Sequence, residues 1–248
     1  MNTDAHRCTP AINLAVCIVL VAVLLQGCSL GSGPKSLYPP PAALSQTASL
    51  RQDFIQEFLQ GRWTTARSLF IQTCDNLLRQ DDFCAVARMY VLAYKLHAYL
   101  GVTYPHLLDK AVDFSQQGLD CTLKTHDRDA LLVGPRDRTM QDLLDRSDWP
   151  TIYSYLKKLG DPLFVSVYAR KAAGKAASSP DKDSAWANTF LKLAHDVDSR
   201  QGWVLFLIQD WKGQRSLEKD PVRQRFMDQR INSLLDLVSP CTQPLIGP

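Results

Sequence analysis

The sequence predicts an all-α fold, in which helical hairpins stack as an irregular bundle or short solenoid. Three observations predict it. From Leu44 onward apolar side chains recur at intervals of three and four, the spacing of one helix face. No stretch shows the strict apolar–polar alternation that marks a half-buried strand. The breaks between periodic stretches carry Asp, Gly and Pro in the order in which they cap and start helices, as in Gly160-Asp161-Pro162.

The first element stands outside that fold. Arg7 and the free amine precede an apolar run from Ala11 to Leu25, AINLAVCIVLVAVLL, which ends in Gln26-Gly27. A bilayer span needs about 20 apolar residues, so the run is too short to cross and has the anatomy of a cleaved export signal. The alternative is an uncleaved signal anchor. The tetrapeptide Leu25-Gln26-Gly27-Cys28 resembles the lipobox of bacterial lipoproteins, where a small residue precedes a cysteine whose thiol takes diacylglycerol. That resemblance implies a signal peptide over 1–27, lipidation at Cys28 and attachment to a membrane by acyl chains. Each buried methylene contributes about 0.8 kcal/mol to such an anchor. Ser29 stands where an Asp would imply retention at the inner membrane, so the resemblance points to the periplasmic face of the outer membrane. Inner-membrane retention and surface display stay open.

From Cys28 to Ala43 the chain is rich in Ser, Gly and Pro, with Pro39-Pro40-Pro41 in a row. It reads as a tether. Polyproline II rises about 3.1 Å per residue, which allows a reach of roughly 40–45 Å.

The domain follows over 44–248, with a sub-boundary expected near 130–136, around Gly134-Pro135. Leu50, Phe54, Phe58 and Leu59 form the first stripe, and Ala66, Leu69, Phe70, Thr73 and Leu77 the second. Asp82 precedes a third helix, Phe83 to Leu100, that is apolar nearly all round and is expected to be buried on all sides. Pro105 opens the fourth. Arg136–Arg146 and Trp149–Leu159 predict two shorter helices, and Asp161 caps a longer one that starts at Pro162. Trp186, Phe190, Leu193, Ala194 and Val197 make the next stripe. The apolar stretch Trp203–Trp211 and a helix from Pro221 to Val238 complete the chain. Gly61-Arg62-Trp63-Thr64-Thr65-Ala66 with Phe70 resembles the second helix of a tetratricopeptide repeat, where Ala lets two helices approach and the aromatic fills the groove between them. The next comparable alanine, Ala111, lies 45 residues on instead of 34, so the resemblance implies one helical hairpin and leaves true repeats open.

Four cysteines remain after Cys28 is committed to lipid: Cys74, Cys84, Cys121 and Cys241. An oxidising compartment permits two disulfides and three connectivities. Cys74 and Cys84 flank the turn near Arg79–Asp82, so a clamp across that hairpin is the expected pairing, with Cys121–Cys241 closing the chain. Buried free thiols are the alternative. The spacings contain no paired ligand module for a metal, and no cofactor is called for beyond the covalent lipid.

A formal charge of +3 is nearly neutral and, with export, excludes nucleic acid as a partner. Catalytic candidates are few. Glu57 and Glu218 are the only glutamates, and the Asp-rich segment with Asp127, Asp129, Asp137, Asp142 and Asp145 alternates with arginines as a solvated face does. His97 falls on the buried helix and reads as a core histidine, while His126 and His195 have no neighbour at ligand spacing. No metalloprotease, serine-hydrolase or phosphate-loop motif is present. Tyr90, Tyr94 and Tyr99 on the third helix are the candidate lining of a groove or pocket, against ordinary packing at half-buried sites.

The sequence thus supports a non-enzymatic scaffold or assembly factor of the cell envelope that grips a protein partner. A second reading is a small-molecule-binding lipoprotein, similar to helical lipoproteins associated with transporters. An envelope hydrolase comes third.

Overall fold

The computed structural model describes residues 41–118, 121, 132–179 and 184–238. Ala42 onward forms a compact unit by itself, distinct from Met1–Pro41. The signal segment, Cys28, the tether up to Pro40, Asp127, Asp129, His126 and Cys241 lie outside the described residues.

Among the described residues the unit is all-α. After one helical turn, Ala42–Ser45, come α1 (Thr47–Leu59), α2 (Trp63–Arg79), α3 (Phe83–Tyr99), α4 (Pro105–Gln117) and α5 (Pro135–Asp145). They are followed by α6 (Trp149–Lys158), α7 (Pro162–Ser178), α8 (Ser184–Gln201), α9 (Val204–Leu217) and α10 (Pro221–Leu235). No strand occurs among the described residues. The helix ends follow the expected chemistry. Asp82, Asp161 and Asp220 accept from the backbone N–H of Ala85 (2.8 Å), Phe164 (3.1 Å) and Val222 (2.8 Å), each filling a donor that the first turn leaves unpaired. Proline stands in the first turn of α4, α5, α6, α7 and α10, where its missing N–H is harmless. The stretch from Trp203 is a full helix running to Leu217, and the last helix stops at Leu235, three residues earlier than its pattern suggests.

From α1 to α4 and from α5 to α10, helices that follow one another in the chain pack together. The most extensive pairings are α7 with α8, α3 with α4 and α1 with α2, and the packing continues α8 to α9 and α9 to α10. One long-range tie brings α1 to the end of α8 and the start of α9: the Trp203 indole N–H donates to Gln56 Oε1 (2.9 Å), and the Gln56 amide donates to the Gln201 carbonyl (2.7 Å). In the first hairpin Ala66 is fully buried and Phe54, Phe58 and Phe70 meet across it, with Phe54 and Phe70 centroids 5.5 Å apart. Helix lengths do not repeat: 13 then 17 residues in the first hairpin, 17 then 13 in the second. α3 buries Val86, Ala87, Met89, Ala93, Leu96 and His97, while Arg88 stays exposed, so its burial is one broad face and not the whole circumference.

The expected cysteine clamp is corrected. Cys84 bonds to Cys121, with a Cα–Cα distance of 5.3 Å, and Cys74 is a buried free thiol. Cys74 belongs to the apolar core, which pushes its thiol pKa up to about 12 through burial. Cys84 stands at the opening of α3, beside the segment that leaves α4. Gly118 makes that approach possible: a Cβ there would lie 2.4 Å from the Cys121 sulfur and 2.8 Å from that of Cys84. With Cys121 engaged, the expected Cys121–Cys241 closure falls as well.

Candidate functional site

The three tyrosines do different things. Tyr90 is packed: its ring stacks on Phe114 with centroids 5.5 Å apart and meets Phe70 edge-on at 5.1 Å. Tyr94 also packs against the core. Tyr99, at the end of α3, lines two clefts, and burial raises its hydroxyl pKa well above the ordinary phenol value.

The smaller cleft, about 270 Å³, lies between α3, Asp137 of α5 and the first turns of α7. Asp137 organises it. The Tyr168 hydroxyl donates to Asp137 Oδ1 (2.6 Å), the Gly134 N–H donates to Oδ2 (2.9 Å), and the Lys95 ammonium stands 3.5 Å from Oδ2. Burial works to raise the Asp137 pKa, but these donors together hold it below the ordinary carboxylate value. The alternating acid–base segment therefore divides. Asp142 and Asp145 are exposed as expected, and Asp145 pairs with Lys175 (2.8 Å), whereas Asp137 turns inward.

The second cleft, about 380 Å³, is bounded by Ala98 and Tyr99 of α3, by Val167, Arg170, Lys171, Ala173, Gly174 and Ala177 of α7, by Leu191 of α8, and by Gln209, Gly213, Ser216 and Leu217 from α9. Beside it lies an ionic cluster that joins three helices. Arg170 donates to Asp198 of α8, to Asp210 Oδ1 of α9 (3.0 Å) and to the Ser166 hydroxyl one turn back (2.8 Å). The guanidinium also lies 3.8 Å from the centroid of Phe206. Both carboxylate side chains have no solvent exposure. Burial pushes the Asp210 pKa up to about 8, and the adjacent Asp198 carboxylate adds to the rise against the pull of Arg170. Burial thus favours the protonated form of Asp210 beside the one guanidinium. Such a shift marks an unusual environment, and the Asp210 carboxylate itself is sealed from solvent. Here the cluster fixes helix register. His195 Nδ1 faces Asp210 Oδ2 at 4.0 Å, and burial lowers its pKa.

A third opening is a groove of about 860 Å³ between α6, the start of α7 and α8. Lys157, Lys192 and Arg200 line it, all exposed, with Asp196 as its one acid. The Lys157 ammonium lies 5.4 Å from the Tyr153 ring centroid.

Sequence reasoning singled out Tyr99 but missed Arg170, Lys171, Asp198 and Asp210. A lone arginine inside the alanine-rich run of α7 was the available signal. Among the described residues, no group of three or more His, Cys, Asp or Glu side chains is placed to hold a metal, and no helix is long and apolar enough to cross a membrane. No family model matches the chain, and no curated protein or solved structure matches it either.

Proposed function

We propose that this chain is an exported lipoprotein, anchored through Cys28 to the periplasmic face of the outer membrane, whose helical unit works without catalysis as a scaffold that grips a partner protein. The observation that carries the gripping role is the groove between α6, α7 and α8. Its 860 Å³ is room for several side chains, and three exposed cations against one carboxylate favour an acidic segment of the partner. Like-signed charge along a groove steers an oppositely charged segment toward it and sets its register. The anchor rests on the sequence from Leu25 to Cys28, and the Pro-rich stretch before Leu44 supplies reach.

Two experiments test the two parts separately. Cys28→Ser is expected to leave the precursor unprocessed and unlabelled by palmitate, and ordinary processing of that variant would sink the anchor. For the groove, a photocrosslinking amino acid at Thr189 in the lipidated chain is expected to capture a discrete protein adduct in the host. Reversing Lys157, Lys192 and Arg200 to Glu is expected to abolish that adduct. An adduct indifferent to the charge reversal, or none, overturns the gripping role.

A further inference from the structure

We propose that the 380 Å³ cleft at the end of α3 binds a small amphiphile, a single apolar chain with an anionic head, whose head pairs with Lys171 and whose chain lies along α7. The cleft shares no lining residue with the α6–α8 groove, so the proposal stands or falls independently of the scaffold reading.

Three observations converge on it. The first is shape and chemistry: the cleft falls in the size range of small-ligand sites, and its walls are mostly apolar, built by Ala98, Val167, Ala173, Ala177, Leu191 and Leu217.

The second is an available cation. The Lys171 ammonium lies 4.7 Å from the Tyr168 ring centroid and 5.7 Å from that of Tyr99. Among the described residues no carboxylate comes within 4.0 Å of it. Asp137 is engaged by Tyr168, Gly134 and Lys95, and Arg170 is engaged by Asp198 and Asp210. Lys171 is thus the cation left to meet an incoming anion. A positive charge held over two aromatic faces is positioned by their quadrupoles without being neutralised.

The third is Gly174. Glycine inside a helix costs about 1 kcal/mol relative to alanine, and a mid-helix glycine is usually kept because a neighbour leaves no room for a side chain. Nothing does so here: a Cβ built on Gly174 meets no atom within 4 Å. Its effect is to keep the cleft wall bare between Ala173 and Ala177, one turn from Lys171.

The test is calorimetric titration of sodium octanoate, decanoate and dodecanoate, below their micelle concentrations, into the compact unit from Ala42 to Pro248. Dodecyl phosphate in parallel identifies the preferred head, and dodecyl maltoside serves as the uncharged control. Saturable one-to-one binding of at least one anionic amphiphile is expected, at least tenfold tighter than the maltoside. Lys171→Met keeps the apolar stem and is expected to weaken that binding at least tenfold. Gly174→Leu fills the cleft and is expected to abolish binding while the unfolding temperature holds or rises, which separates occlusion from misfolding. No saturable binding by any of the anions overturns the proposal, as does binding that either variant leaves at the wild-type affinity.

Discussion

The first two hairpins and the later helix trio α7–α9 pair helices in the same way and hold them by different chemistry. In α1–α4 the contacts are rings: Phe54, Phe58 and Phe70 with Trp63, Tyr90 and Phe114, closed covalently by Cys84–Cys121. In α7–α9 small residues bring backbones together, with Ala169, Ala172, Ala173 and Ala176 of α7 and Ala187 and Ala194 of α8 all buried, and a buried guanidinium fixes the register. Aromatic packing fills space. Alanine packing around a polar cluster leaves space beside it, and the cleft that ends at Tyr99 opens there. A buried ion cluster adds little net stability while intact but costs much when one partner is removed, so the two regions should respond differently to substitution.

The largest expected effect is in the ionic region. Arg170→Met leaves Asp198 and Asp210 buried without a cation, a change that costs about 3–5 kcal/mol when one partner of a buried pair is removed. Urea unfolding would read it, and adding Asp198→Asn and Asp210→Asn to Arg170→Met is expected to restore most of the loss. A single-variant loss under about 1 kcal/mol would show that the cluster does not hold these helices.

Next comes the covalent closure of the aromatic region. Replacing Cys84 and Cys121 together by Ser opens a loop set by a sequence separation of 37 and is expected to cost about 2–4 kcal/mol. Peptide mapping without reductant should recover Cys84 linked to Cys121, with Cys74 alkylated only after unfolding. A Cys74–Cys84 peptide would restore the hairpin clamp and remove the asymmetry between the regions.

The regions also differ in how far they can be read from sequence, and for the same reason. Phe54, Phe58, Leu59, Ala66 and Phe70 announce their helices because apolar periodicity is local information, and Asp161-Pro162 announces a start because a cap acts within one turn. Arg170, Asp198 and Asp210 do not announce a cluster, since they stand 28 and 40 residues apart and meet only in three dimensions. Asp137 was hidden by its arginine neighbours, whose alternation suits a solvated face. The cysteines misled through proximity: Cys74 and Cys84 are close in sequence, but Cys74 faces the core and Gly118, not spacing, admits the bond that forms. The end of α3 was legible only as a tyrosine at a suggestive place.

The smallest effect expected is a pair of opposed pH responses, one from each region. His97 is buried, edge-on to Phe58 at 4.9 Å and to Tyr104 at 4.7 Å, and burial, with His106 nearby, lowers its pKa from 6.5 to about 4. Its folded state resists a proton that the unfolded chain accepts, so its contribution is present above pH 6.5 and is lost as pH falls toward 4. Asp210 runs the other way. Its pKa rises from 3.8 to about 8, so its folded state keeps a proton the unfolded chain gives up, and the contribution present below pH 3.8 is lost as pH rises through 8. Between pH 4 and 6.5 the two oppose each other, whereas between 6.5 and 8 Asp210 acts without His97. Unfolding free energies at pH 6.5 and 8 should therefore fall in the native chain by on the order of 1 kcal/mol and stay level in Asp210→Asn. Between pH 6.5 and 4, His97→Leu should reduce the acid-side loss and leave the share that the lowered His195 pKa contributes, set against the rise from Asp210. If Asp210→Asn follows the native profile above pH 6.5, the proton is not held by Asp210, and the contrast between a neutral aromatic region and a proton-holding alanine-packed one fails at that residue.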